Sequence, residues 1–254
     1  MATILTIFRI KNWFYYLGYF ILGFTLFYKE FKFFNLFYFL SSFFASAFAL
    51  AYAYSFNTII DKKLKSKCFI YPLIACLFLS FFLPLTSFVY LITFLVITSL
   101  YSLPKIRLKG IPFVSLLINA IGFNLIFMMG YFSYSFTDLF FLFFILLFIL
   151  NLIAQLIHEI HHFSQDKKQK IKNTAIFLGR KNCYIMIKIL LIFLIFLSLI
   201  FFHYKFILIG SSTLILSFYF LFVITKKVIY KIRKEFRNYG IIVGIIYLLE
   251  LIFR

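Results

Sequence analysis

The sequence predicts an all-α, polytopic membrane protein with nine transmembrane helices. Three observations lead there. The chain is 65% hydrophobic with a mean hydropathy of +1.05, whereas a soluble domain is about 45–50% apolar. Apolar runs long enough to cross a bilayer, about 17–25 residues each, recur along the whole chain. Basic residues fall in short segments between alternate runs. No soluble domain fits between the runs, so residues 1–254 read as one domain.

The spans fall near 12–28, 33–56, 68–84, 86–103, 111–134, 138–162, 182–202, 205–225 and 239–253. A tight turn over Pro84–Ser87 joins the third and fourth. The fourth stops near Pro104, because a proline ring cannot continue a helix. The fifth opens at Pro112, a residue suited to a first helical turn. The sixth is a long apolar stretch, Phe140 to Ile157, that runs out into a polar cluster. Gly18, Gly23, Gly122 and Gly130 are candidates for close helix contact, and Gly240 with Gly244 fits GxxxG.

Charge gives an orientation. Arg9 and Lys11 precede the first span. Lys62, Lys63, Lys65 and Lys67 follow the second, and Lys105, Arg107 and Lys109 the fourth. Lys167, Lys168, Lys170, Lys172, Arg180 and Lys181 follow the sixth. Lys226, Lys227, Lys231, Arg233, Lys234 and Arg237 follow the eighth. Only Lys29, Lys32, Lys205 and Arg254 lie on the other side, with Lys188 inside a span. By the positive-inside rule the N-terminus is cytoplasmic and the C-terminus outside. A cell membrane is the expected location. The net charge of +19 sits beside spans, which suits membrane lipids and phosphorylated substrates and argues against nucleic acid. The cysteines, Cys68, Cys76 and Cys183, have neither metal nor disulfide spacing and read as packing residues.

The unusual chemistry lies at three cytoplasmic helix ends. Asn57 and Asp61 close the second span and, four residues apart, share a helix face. Tyr101, Lys105, Arg107 and Lys109 follow the fourth. His158-Glu159-Ile160-His161-His162-Phe163-Ser164-Gln165-Asp166 ends the sixth, where Asn151, Gln155, Glu159, His162 and Asp166 form one polar stripe on an apolar helix. Ionisable groups near lipid cost roughly 2–4 kcal/mol on insertion scales. The stripe must therefore face protein or a wet cavity. Oxygens from two helices with a basic loop between them suit a metal-bound phosphate: hard oxygens hold Mg²⁺, and Lys and Arg offset the remaining charge. Asn119 and Asn124 are candidates to line the cavity from the fifth span.

At these residues the chain resembles the UbiA superfamily of membrane prenyltransferases, over most of its length. That family has nine transmembrane helices. Its first motif, NDxxDxxxD, matches Asn57 to Lys65, with Thr58 and Lys65 in place of aspartates. Its YxxxK motif matches Tyr101 to Lys105. Its second motif, DxxDxxxD, matches Glu159, His162 and Asp166, and Asn173-Thr174 through Gly179-Arg180 matches the tail that follows. The start, Arg9 to Trp13, is also similar.

The resemblance implies nine helices around a central cavity. It implies Mg²⁺-dependent, intramembrane transfer of a polyprenyl group from its diphosphate to an aromatic, small or lipid acceptor. Asn57, Asp61, Glu159, His162 and Asp166 would hold the metal. Asn57, Lys105, Arg107, Lys109, Asn119 and Lys167 would bind substrate. Asp61, Tyr101 and His162 would serve catalysis. Three other functions stay open. Some relatives transfer a phosphoribosyl group to a polyprenyl phosphate. His158 to His162 also reads as HExxH, the pattern of a zinc protease with Glu159 as base. A non-catalytic lipid-binding or transport protein would line its path with the same stripe.

Overall fold

The protein is described by a computed structural model covering residues 7–168 and 171–253. Lys170 and Arg254, counted above among the loop charges, lie outside the described residues. Nine helices of ten or more residues occur among the described residues, and no strand. They are α1 (Leu17–Phe31), α2 (Leu36–Asp61), α3 (Ile70–Ser80), α4 (Leu85–Ser102), α5 (Val114–Gly130), α6 (Asp138–Lys168), α7 (Thr174–His203), α8 (Ile207–Val223) and α9 (Ile229–Phe253). The all-α, nine-helix expectation is met in number and order. Five helices, α2, α4, α6, α7 and α9, are long and apolar enough to cross a membrane; α3, α5 and α8 are apolar but shorter.

Two boundaries move substantially from the expected spans. The seventh helix starts at Thr174 rather than near 182. Asn173 caps it, its Oδ1 accepting from the Ile176 amide at 3.0 Å, as short polar side chains do at helix starts. Inside this helix Gly179 breaks the geometry, with φ 76° and ψ 157°. The ninth helix starts at Ile229 rather than near 239. Its buried residues Ile232, Phe236, Val243, Tyr247 and Leu251 continue one apolar stripe back through the basic segment. Lys231, Arg233, Lys234 and Arg237 are thus on a helix and not in a loop.

The chain packs as two compact units. Unit 1 comprises residues up to Leu108 together with Ile121–Phe136. In it α2 packs on α3 and α4, and α1 on α2. Ser42, Ala45, Ser46 and Ala49 of α2 are all buried; such small side chains let helices approach closely without a hydrophobic driving force between them. Polar groups join the helices: Tyr52 and Ser99 share a hydrogen bond of 2.7 Å, and Ser87 Oγ donates to the Met129 carbonyl at 2.8 Å. Gly23 lies against the Phe127 carbonyl, and Gly130 against the Phe20 carbonyl, so neither position has room for a Cβ.

Unit 2 comprises Lys109–Ala120 and the residues from Thr137 onward. In it α6 packs on α7 and α9, and α8 on α7 and α9. Phe143, Phe201, Phe206 and Tyr247 meet edge to face, the arrangement that ring quadrupoles favour. Thr213 and Tyr247 share a 2.6 Å hydrogen bond. The buried carboxylate of Glu250 accepts the Leu208 and Ile209 amides at 3.0 and 2.6 Å. It satisfies orphan N–H groups at the start of α8 and offsets the positive end of the helix. Gly240 and Gly244 face open space, so their GxxxG spacing joins no helix pair within the unit.

Candidate functional site

In unit 1 the first two polar clusters come together. Ser102, the last residue of α4, donates to Asn57 Oδ1 at 3.4 Å. Beyond it the chain turns at Pro104, and Arg107 Nη2 lies 3.9 Å from Asp61 Oδ1. Both members of this pair are exposed by more than a third, so the contact itself contributes at most about 1 kcal/mol. Arg107 reaches Asp61 from a left-handed backbone conformation, φ 41°, with its amide donating to the Leu103 carbonyl at 2.7 Å. A non-glycine residue pays strain there. Lys105 is exposed in the same turn, and Tyr101 is half-buried on the last turn of α4. Nothing in the spacing of the two clusters signals the contact of Ser102 with Asn57 or the pairing of Arg107 with Asp61.

In unit 2 the stripe on α6 divides by depth. Asn151 and Glu159 are buried; His162 and Asp166 are half-buried; Lys167 is exposed. Glu159 is engaged by three donors. Ser115 Oγ and Gln155 Nε2 give hydrogen bonds to Oε1 at 2.7 and 3.2 Å, and the Ala175 amide to Oε2 at 3.1 Å. The Phe113 amide donates to Thr174 Oγ1 at 2.9 Å. Glu159 therefore ties the starts of α5 and α7 to α6. Asp166 Oδ2 accepts from Asn173 Nδ2 at 2.8 Å, which links α6 to the cap of α7. Asn119 turns its amide to the Ser115 carbonyl at 2.9 Å. Lys109 is half-buried in a short 3₁₀ turn, Leu108–Gly110.

Three of the four histidines gather with Arg233, a member of the basic run after the eighth span. His158 and His162 have ring centroids 4.6 Å apart, and His161 and His162 4.8 Å. Arg233 of α9 meets His162 Nε2 at 3.3 Å. A basic run near a membrane has no feature that singles out one member for a site, so Arg233 was not legible.

The HExxH reading does not fit this geometry. His158 and His162 share a face as the spacing predicts, but the Glu159 carboxylate is taken up by Ser115, Gln155 and Ala175. Among the described residues no three His, Cys, Asp or Glu side chains converge to hold a metal, and a catalytic zinc needs three protein ligands.

Magnesium fits in one form. It is commonly held by one or two carboxylates, with substrate phosphates and water completing the octahedron. Asp61 and Asn57, at the end of α2, carry hard oxygens of that kind, and so, in the other unit, does Asp166 on α6. Glu159 does not, because its oxygens are already occupied inside the protein.

Nine helices among the described residues, several of them apolar enough to cross a bilayer, with polar clusters at the ends of α2, α4 and α6, define an integral, multi-pass membrane protein. The chain belongs to the UbiA prenyltransferase family, whose model matches residues 66–242. The match includes the second and third clusters and begins just after the first. Comparison with curated proteins gave no match. Among solved structures, the fold is similar to that of a UbiA homologue from Archaeoglobus fulgidus bound to GPP and Mg²⁺, with TM-score 0.77 and 17% identity over 98% of this chain and 97% of that one. The same homologue bound to DMAPP and Mg²⁺ aligns with TM-score 0.75 and 16% identity, over 98% and 97% of the two chains. A structure from work on digeranylgeranylglyceryl phosphate synthase in membranes aligns with TM-score 0.75 and 18% identity, over 98% of each chain.

Proposed function

We propose that the protein transfers a polyprenyl group, within the membrane, from its diphosphate to an aromatic or lipid acceptor, and that it does so with Mg²⁺. The observation that carries the reading is the Asp61–Arg107 contact of 3.9 Å. It joins an acid at the end of α2 to a base after α4, the residue types that a magnesium diphosphate requires, in a chain of the UbiA family. Mg²⁺, when bound, would offset charge on the diphosphate as the allylic C–O bond ionises.

The protein's own residues do the rest. Asn57, Asp61 and Asp166 offer oxygens to the metal. Lys105, Arg107, Lys109 and Lys167 contact phosphate oxygens, and they favour the reaction because charge on the leaving diphosphate is greater in the transition state than in the ground state. Tyr101 positions the diphosphate from the end of α4. Asn119 lies nearer the membrane interior, where the prenyl chain and acceptor would meet. Glu159 holds the starts of α5 and α7 in place. In this reading residues 1–254 are a single domain in the cell membrane, with the basic helix ends and the N-terminus in the cytoplasm and the C-terminus outside.

The test is transfer of radiolabelled geranyl, farnesyl or geranylgeranyl groups by purified protein in bilayer nanodiscs with Mg²⁺. Asp61→Asn and Asp166→Asn are each expected to lower turnover by about a hundredfold or more, and EDTA to abolish it. Full turnover in both variants would remove the site assignment.

A further inference from the structure

Prenyl transfer makes no use of the basic residues that lead into α9. From Lys226 to Arg237 six basic residues stand against one acid, Glu235, a net charge of +5. Lys227 Nζ meets both oxygens of that acid at 2.9 Å, and Tyr219 OH of α8 donates to one of them at 2.7 Å. Lys231 also acts on it electrostatically. The other carboxylates of unit 2 change the balance little. Glu159 and Glu250 are buried and accept backbone amides. Asp138 begins α6, at the end away from His162 and its contact with Arg233. Asp166 can offset one charge at most, which leaves +4 of the +5.

The face that carries this charge changes character along the helix. Lys231, Lys234, Asn238, Ile242, Ile245 and Leu249 are all exposed and follow one another at steps of 3, 4, 4, 3 and 4, so they share one side of α9. Its first turns are cationic and its later turns apolar. The end of α8 makes the same change: Phe218 and Phe222 are exposed, and after them Thr225 and Lys226. A soluble anion answers the charge and leaves the apolar turns uncovered. A phospholipid answers both in one molecule, with its phosphate beside the lysines and its acyl chains along Ile242 to Leu249. Basic clusters on an amphipathic helix at a bilayer surface select anionic headgroups for this reason.

We propose that the first turns of α9 bind an anionic phospholipid, with Lys231, Lys234 and Arg237 on its headgroup and the apolar turns that follow against its chains. The Lys227–Glu235–Tyr219 contact positions the site. It ties the start of α9 to α8 and occupies the one carboxylate of the segment, which would otherwise compete with the phosphate for Lys231. The inference goes beyond the proposed reaction and does not depend on it.

The experiment uses the full-length protein in phosphatidylcholine bilayers. Spin-labelled phosphatidylglycerol and phosphatidylcholine report the preference for the anionic lipid, and the thermal midpoint is the folding control. Wild-type protein prefers phosphatidylglycerol. Lys231→Gln/Lys234→Gln/Arg237→Gln lowers that preference by about twofold or more. Lys62→Gln/Lys65→Gln/Lys67→Gln removes the same charge from the loop after α2 and lowers it by less. Lys227→Gln and Glu235→Gln break the same ion pair with opposite consequences. Lys227→Gln leaves Glu235 to Lys231 and lowers the preference, whereas Glu235→Gln keeps or raises it. A merely structural pair would move both alike. Should the triple variant in α9 fail to fold, this pair reads the same property. No preference in wild type, an equal loss in the two triple variants, or an equal change in Lys227→Gln and Glu235→Gln overturns the proposal. Displacement of the labelled lipid by soluble glycerol phosphate also overturns it, because the surface would then take phosphate without the chains.

Discussion

The carboxylate of Glu159 accepts the backbone amide of Ala175 at 3.1 Å while Ser115 Oγ donates to its other oxygen at 2.7 Å. One buried acid on α6 thus fixes the first turns of two other helices. Glu159→Ala leaves a buried hydroxyl and a helix-start amide without their acceptor. It is expected to destabilise the protein by roughly 1–3 kcal/mol, with Glu159→Gln falling between it and wild type. The measurement is the thermal midpoint in EDTA. If Glu159 served only as a metal ligand, its removal would leave the metal-free midpoint unchanged or raised.

Arg107 sets stability against binding. Its φ of 41° is uncomfortable for any residue with a Cβ and easy for glycine. Arg107→Gly is expected to raise the midpoint by an amount equivalent to roughly 0.5–1 kcal/mol, because the lost surface pair with Asp61 is worth less than the strain relieved. The same change is expected to weaken binding of a prenyl diphosphate by about tenfold, the loss of one charge-assisted contact. A fall in both midpoint and affinity would show that the left-handed turn depends on the side chain.

Periodicity and hydropathy made the fold legible, since nine apolar runs became nine helices in the expected order. They missed what depends on capping and on partners distant in sequence. The start of α7 at Thr174 was hidden because Asn173 acts through one hydrogen bond, and an apolar window does not register it. The first turns of α9 were hidden because charged residues on its outer face masked the stripe from Ile232 to Leu251. In the candidate site, Asn57, Asp61, Tyr101 and Asp166 stood out as polar residues at apolar helix ends. The difference between Glu159, turned inward to Ser115 and Ala175, and Asp166, half-exposed beside Asn173, is one of rotation about the helix. Both read alike in a linear stripe.

Gly179 is a second position with a required backbone. Its φ of 76° and ψ of 157° lie in a region almost reserved for glycine, and a Cβ there would meet nothing within 4 Å. Gly179→Ala is therefore expected to cost about 1–3 kcal/mol through strain alone. The kink separates the capped turn that holds Asp166 and Ala175 from the long apolar part of α7. The loss should thus appear as faster hydrogen exchange at residues 174–180 than in the remainder of the helix. Uniform acceleration along α7 would refute the localisation.

Glycines of similar appearance should respond with opposite sign. Gly130 lies against the backbone of Phe20 and Phe24 on α1, and Gly244 has nothing within 4 Å. A methyl group at 130 meets carbonyl and amide atoms that cannot rotate away, so α1 must move. Gly130→Ala is expected to destabilise by about 1–3 kcal/mol, the usual range for overpacking. Gly244→Ala adds no contact and removes the entropic penalty of glycine inside a helix, for a gain of about 0.5–1 kcal/mol. Thermal midpoints of the two single variants in the same detergent decide the matter. If Gly244→Ala also destabilised the protein, a surface packed in the membrane against α9, such as a second copy of the chain, would have to be there to meet it.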